Sequence, residues 1–304
     1  MNIAELSSST TFQDQLILLL GSSGQLGWTL FQQFKSVPLP VVLQAQCDFR
    51  KLKELILLVK RLRPRVIINA AAFTQVEYAE IEPKSAYQIN AHAMIALAEV
   101  SKQVGSLLVH FSTDYVFNGV GSKPWQEEDI PAPLNVYGLS KLQGEQAILA
   151  SGCEHLIFRT SWLHSPYRQN FLKTMLHLGQ EKKSLSVVCD QIGSPTSTAM
   201  LAQVTLQAID KVLLDSRLCG LYHVAASGET SWYNYACFIF EEARALGVEL
   251  KVSEVKPITS HGYPVLATRP LNSRLDTAKF RTTFGIELPD WKDGVRETLG
   301  QIIN

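Results

Sequence analysis

Three glycines spaced three apart, Gly21, Gly24 and Gly27, follow the apolar run Leu16–Leu20 and open a segment of helical character. Strand, glycine turn and helix in that order constrain the fold more than any other stretch of the chain. Glycine at a turn adopts φ > 0 without steric penalty and lets the backbone approach a ligand closely. A helix beginning near Gln25 presents free N–H groups and the positive end of its dipole, which suit a phosphate. Gly27 lets that helix lie close to the sheet. An ordinary strand–helix turn is the alternative; the strand before and the helix after favour a dinucleotide pyrophosphate site.

The same alternation continues. Apolar runs at Leu16–Leu20, Val41–Leu43, Val66–Asn69 and Leu107–Phe111 are each followed by a helical pattern, at Gln25–Phe34, Lys51–Leu62, Lys84–Val104 and Val136–Ala150. That order means βαβ units and a buried parallel sheet. Leu156–Arg159 and Ser186–Cys189 read as further strands. Beyond them, aromatics and Pro195, Pro257, Pro264, Pro270 and Pro289 break the chain into shorter elements. The expected architecture is α/β: a Rossmann-type doubly wound parallel sheet with a smaller, mostly C-terminal substrate domain. The expected division is an N-terminal extension at 1–14, a dinucleotide-binding domain at 15–160, and a mainly substrate-binding region at 161–304 with some elements returning to the sheet.

Charge and cysteine content exclude several classes. Lys plus Arg equals Asp plus Glu, 28 each, which argues against nucleic acid or an anionic membrane as partner. Five cysteines, with no CxxC, make a disulfide framework or zinc site unexpected and point to a reducing compartment. No run reaches the roughly 18 apolar residues of a membrane span. The polar start lacks the pattern of a signal peptide, so a cytoplasmic location is expected.

The second motif is Tyr137-Gly138-Leu139-Ser140-Lys141, preceded by Ser112-Thr113-Asp114-Tyr115. Tyr137 and Lys141 stand i and i+4 on a predicted helix and share a face. A tyrosine, with its pKa of roughly 10, is a poor proton-transfer group at neutral pH until a nearby cation favours the phenolate. Thr113 follows a predicted strand, at the sheet edge where ligands bind in such folds. Its hydroxyl can bond the same carbonyl oxygen, and Asp114 can orient a sugar hydroxyl. The two motifs together describe a nicotinamide-dependent carbonyl reductase, with NADPH or NADH as cofactor. About 20 residues past the glycines, Asp48 can face the adenosine ribose or the adenine. Arg50, Lys51 and Lys53 are either partners of a 2′-phosphate or a solvated helix face.

Further segments complete a pattern. They are Ile68–Thr74 (INAAAFT), Phe111–Phe117 (FSTDYVF), Pro131–Val136 running into Tyr137-Gly138, Phe158–Trp162, Asp190–Thr196 and Arg269–Leu275. With these, the chain from Leu16 onward resembles the extended short-chain dehydrogenase/reductases, and within them the dTDP-4-dehydrorhamnose reductase family. The resemblance implies hydride transfer from NAD(P)H to C4 of dTDP-4-dehydro-6-deoxy-L-mannose, giving dTDP-L-rhamnose for cell-surface polysaccharide such as O antigen. By matched position, Tyr137 is the proton donor and Lys141 binds the nicotinamide ribose and tunes it. Thr113 and Asp114 contact the sugar, with Trp162 beside it. Gly21, Gly24, Gln25, Leu26, Gly27, Asp48, Phe49, Ala72, Phe73, Thr74 and Phe111 line the cofactor. Arg269 and Arg274 are candidates for neutralising the nucleotide diphosphate, against the alternative of surface ion pairs.

Some relatives share a magnesium ion between subunits through glutamates, one directly after a Gly-Trp pair. Thr29 follows Gly27-Trp28 here, so no such metal is expected. The partner is a dTDP-sugar, with a homodimer as a candidate assembly. Competing readings are a reductase of another dTDP-4-keto sugar (dihydrostreptose type), a non-catalytic nucleotide-binding regulatory subunit, and an epimerase or dehydratase of the same superfamily.

Overall fold

Short apolar runs bounded by turn residues become strands buried on both faces. The computed structural model describes residues 16–35, 42–45 and 47–303; the N-terminal extension and Val41 lie outside them. Six strands form the central sheet: β1 (Ile17–Leu20), β2 (Val42–Ala45), β3 (Val66–Asn69), β4 (Leu107–Thr113), β5 (His155–Thr160) and β6 (Gly220–His223). Their order is β6-β5-β4-β3-β1-β2, and all five pairings are parallel. Every residue of β1, β3 and β4 is buried.

Alternate residues of β1 feed two separate cores, as the two-residue period of a strand requires. Ile17 and Leu19 join one cluster with Leu26, Leu30 and Phe34 of α1 (Gln25–Lys35) and Leu201 and Val204 of a later helix. Leu18 and Leu20 join the other, with Leu55 and Val59 of α2 (Leu52–Leu62), Met94 and Leu97 of α3 (Ala93–Val104) and Ile148 of α4 (Val136–Ser151). The later helix, α5 (Thr198–Leu214), packs on α1. Helices thus cover both faces of a parallel sheet whose strand order reverses between β1 and β3. The crevice at that reversal, beyond the C-terminal strand ends, is where ligands bind in such sheets.

Several details differ from the sequence reading. β4 runs two residues past Phe111, so Thr113 is its last residue and does not lie beyond it. Ser112 and Thr113 are polar, but main-chain pairing with Arg159 and Thr160 of β5 carries the strand on. The helical segment expected at Lys84–Val104 contains a π-turn at Gln88–His92. The strand expected at Ser186–Cys189 is Ser184–Val188; it pairs with Glu254–Ile258, apart from the central sheet. β6, too short and polar to be read as a strand, returns the chain beside β5. No helix among the described residues is long and apolar enough to cross a membrane, and all five cysteines are free thiols.

One buried ion pair ties α4 to β5. Arg159 Nη2 lies 2.7 Å from Glu145 Oε2, and Nε donates to both carboxylate oxygens at 3.0 and 3.2 Å. Arg159 also lies over the Phe117 ring. Removing one member of such a pair strands the other charge in the interior, at a cost of about 3–5 kcal/mol. Arg159→Ala is expected to lose stability of that order in urea unfolding; a loss under about 1 kcal/mol would show that the pair does not hold α4 to the sheet.

Candidate active site

The turn after β1 is built by two of its three glycines. Gly21 takes φ +80°, and a Cβ there would overlap the backbone of Ala70 and Ala71 after β3. A Cβ on Gly27 would fall on the Gly21 carbonyl. Gly24 differs: its N–H donates to the Gly21 carbonyl at 3.0 Å, but an added Cβ would meet nothing closer than 3.4 Å. The fold therefore demands glycine at 21 and 27. At 24 it leaves an open face at the start of α1, whose first turn carries no acidic residue.

A segment from the second half, 165–170, is fastened to this turn, which sequence reasoning missed. Gln25 Oε1 accepts from Ser165 Oγ at 3.0 Å and from Asn170 Nδ2 at 2.9 Å. Arg168, at φ +65°, donates from Nε to the Ser23 carbonyl at 2.9 Å, and Tyr167 stacks on Trp28. Thr29, where some relatives have glutamate, shares a 2.8 Å hydrogen bond with Thr198.

Other residues expected along a cofactor divide into two kinds. Leu26, Phe49 and Phe111 are core side chains, which leaves only their backbone for the cofactor contact expected of them. Asp48 is partly exposed and bidentate with Arg50 at 2.9 and 3.0 Å; that guanidinium holds its carboxyl down to about 2. Ala72, Phe73 and Thr74 follow β3. Phe73 is held by Asn90 of the π-turn, whose Oδ1 accepts from Phe73 N at 2.8 Å. Asn90 Nδ2 donates to the Phe73 carbonyl and to Ser140 Oγ of α4, both at 3.0 Å. Asn90 was not legible either: a mid-helix asparagine ordinarily faces solvent, and only the π-turn aims it inward.

The end of β4 and the first turns of α4 bring the chemical groups together. Asn135 caps α4, accepting from Gly138 N at 2.8 Å, and so sets Tyr137 and Lys141 on the face toward the sheet. Thr113 hydrogen-bonds Tyr137 and donates to Asp114 Oδ1 at 3.1 Å. Burial pushes Tyr137 up to about 12, a shift its bond with Thr113 opposes and the Asp114 charge reinforces. Burial likewise pushes Asp114 up to about 7 against hydrogen bonds from Ser273 and Thr113, and its Oδ2 has no partner. Lys141 is 1% exposed and burial draws it down to about 8, with Glu145 opposing. Its Nζ donates to the Phe111 carbonyl at 2.6 Å and stands 3.1 Å from His110 Nε2. The ammonium expected to lower Tyr137 is thus turned toward β4, and desolvation governs the tyrosine.

On the sugar side, Trp162 holds φ +48°, unusual for a bulky residue. It stacks on Trp232 at a centroid distance of 3.6 Å and lies against Gly193, where a Cβ would strike its ring. Both candidate arginines have carboxylate partners. Arg269 Nη2 meets Glu77 at 3.0 Å, its buried Nε making no hydrogen bond. Arg274 pairs with Glu229 at 2.5 and 3.1 Å.

Residues 15–303 match the family model described as RmlD substrate binding domain. Among curated proteins, the chain is 44% identical to a dTDP-4-dehydrorhamnose reductase of Salmonella typhimurium, over 94% of this chain and 97% of that protein. It is 36% identical to the spore coat polysaccharide biosynthesis protein SpsK of Bacillus subtilis, over 93% and 96%. The crystal structure of a dTDP-4-dehydrorhamnose reductase from Bacillus anthracis in complex with NADP is similar at TM-score 0.85 and 35% identity, covering 94% of this chain and 99% of that one.

The glycines make different demands that stability measurements separate. Gly27→Ala is expected to lose about 1–3 kcal/mol or more through overpacking. Gly24→Ala is expected to stay within about 1 kcal/mol of the parent. Equal losses in urea unfolding would contradict the assignment of an open face to Gly24.

Proposed function

The chain belongs to the RmlD family of dTDP-4-dehydrorhamnose reductases, and from that membership we propose how its own residues reduce the C4 ketone of dTDP-4-dehydro-6-deoxy-L-mannose to dTDP-L-rhamnose, a precursor of cell-surface polysaccharide. The observation that carries the assignment of roles is the meeting of Thr113, Tyr137 and Lys141 at the end of β4. The glycine turn and residues 70–74 end the neighbouring strands of the same sheet edge.

The residues fit a dinucleotide. Gly24 leaves a face that only a side chain would fill, the start of α1 supplies N–H groups, and Lys141 is a buried lysine with no carboxylate at its Nζ. Gly24 and Gln25 would hold the pyrophosphate, Asp48 the adenosine end, Ala72 to Thr74 the middle and Lys141 the nicotinamide ribose. When bound, NADPH or NADH supplies the hydride for C4.

The chain's own part is to hold the carbonyl and move a proton. Thr113 and Tyr137 present two hydroxyls that a carbonyl oxygen can join. The raised pKa keeps Tyr137 in its protonated form at neutral pH, the form able to donate. As negative charge grows on the substrate oxygen, the Tyr137 Oη proton passes to it, and Thr113 donates to the same oxygen by turning its hydroxyl hydrogen away from Asp114 Oδ1. Lys141, one turn along α4, supplies positive charge that eases the tyrosinate left behind. Asp114, with one oxygen unpartnered, is placed to bond a sugar hydroxyl, and Trp162 to bear on the ring. In this reading residues 15–160 carry the cofactor, and 161–304 mainly shape the sugar-nucleotide pocket. Arg269 and Arg274 reach a diphosphate only by sharing or leaving their carboxylates.

Tyr137→Phe removes the proton and little else. Turnover is expected to fall by about 10²–10⁴-fold, with NADPH affinity measured by fluorescence within about threefold of the parent. Full turnover in that variant would remove Tyr137 from the mechanism.

A further inference from the structure

Behind Lys141 runs a chain of buried polar groups that the reduction just described leaves unused. Ala71 N donates to Asn69 Oδ1 at 3.1 Å. That bond orients the amide, so Asn69 Nδ2 faces His110 Nδ1 and the Met94 sulfur, each at 3.1 Å. An amide nitrogen only donates, so His110 accepts at Nδ1. His110 is 1% exposed, and burial by itself holds its pKa well below the ordinary value. A neutral imidazole that accepts at Nδ1 carries its proton on Nε2. That Nε2 stands 3.1 Å from Lys141 Nζ, while Nζ donates to the Phe111 carbonyl. An N–H pointing at nitrogen needs a lone pair there. The amine form of lysine has one; the ammonium form has none.

We propose that His110 is a positioning residue that sets the protonation state of Lys141. Asn69 locks the imidazole as the Nε2–H tautomer, which matches lysine as the neutral amine. Forming the ammonium opposes two donors, or costs the Asn69–His110 bond through a change of tautomer. The inference rests on the role given to Lys141 above. The other ionisable groups around Lys141 do not remove the preference. Tyr137 and Glu145 share its helix, but Glu145 is already bound to Arg159 of β5 at 2.7 Å. Asp114 follows β4 in a short helical turn, and its charge acts on Tyr137. Desolvation acts in the same direction as the hydrogen-bond match. Lys141 would reach its charged form, the partner given to Tyr137 above, by taking a proton from water when hydroxyl oxygens of a bound ligand offer its Nζ further acceptors.

Nitrogen NMR of histidine-labelled, ligand-free protein above pH 8 tests this directly. The chain has seven histidines, and the His110 signals are those lost in His110→Gln. The expected spectrum shows His110 protonated at Nε2; protonation at Nδ1 overturns the proposal. Asn69→Asp puts an acceptor opposite Nδ1 and gives a second readout if the first variant does not fold. It is expected to switch His110 to the Nδ1–H tautomer and raise the pH of the alkaline fall in kcat by about one unit. An unchanged tautomer in that variant overturns the proposal, because a purely structural asparagine would leave it so. The tautomer is read without substrate or cofactor. An inactive parent protein with the expected tautomer would therefore count against the reductase reading and not against the lock.

Discussion

The turn after β1 touches the chain leaving β3, and the rest of the site is arranged around that contact. Gly21 adopts a left-handed backbone and leaves no room for a Cβ against Ala70 and Ala71. Gly27 lets α1 close on the same turn. The reversal of strand order between β1 and β3 opens the crevice, and these two glycines keep its floor thin. Asn90 then ties Phe73 to Ser140 of α4. Ser165, Arg168 and Asn170 fasten the second half of the chain over the turn. The glycine turn and the Thr113–Tyr137 pair, distant in sequence, are thereby held on one sheet edge.

Desolvation is the leading influence on the chemical groups. Burial raises Tyr137 and Asp114 and lowers Lys141, so each is drawn toward its uncharged form. For Tyr137 this suits the role proposed for it, since a proton donor must hold its proton ready. For Lys141 it bears on how charge enters the site, because a cation drawn down to about 8 and facing an imidazole is sensitive to what occupies its other side. The buried Asp114 Oδ2, beside Thr113, makes no hydrogen bond, and this is the observation behind the sugar-hydroxyl role proposed for it.

Much of this was legible in the sequence where physics acts locally. The glycine turn, the apolar strands and the Tyr137–Lys141 spacing all express short-range rules, and the structure places them as those rules require. β6 was not legible, because Gly220–His223 is a strand only by pairing with β5. Nor was the inward turn of Asn90, which depends on a π-turn in an otherwise regular helical segment. Trp162 was named through resemblance, but its left-handed backbone and its stack on Trp232 come from contacts across the second half. His110 read as one more strand residue until Asn69 and Lys141 were placed on either side of it.

The measurement that tests the central claim most directly is the loss of reduced-nicotinamide absorbance with dTDP-4-dehydro-6-deoxy-L-mannose, with NADPH and NADH in parallel and the sugar product identified. The account predicts stoichiometric oxidation of at least one cofactor and formation of dTDP-L-rhamnose. Tight cofactor binding with no oxidation of either cofactor by this sugar would contradict it.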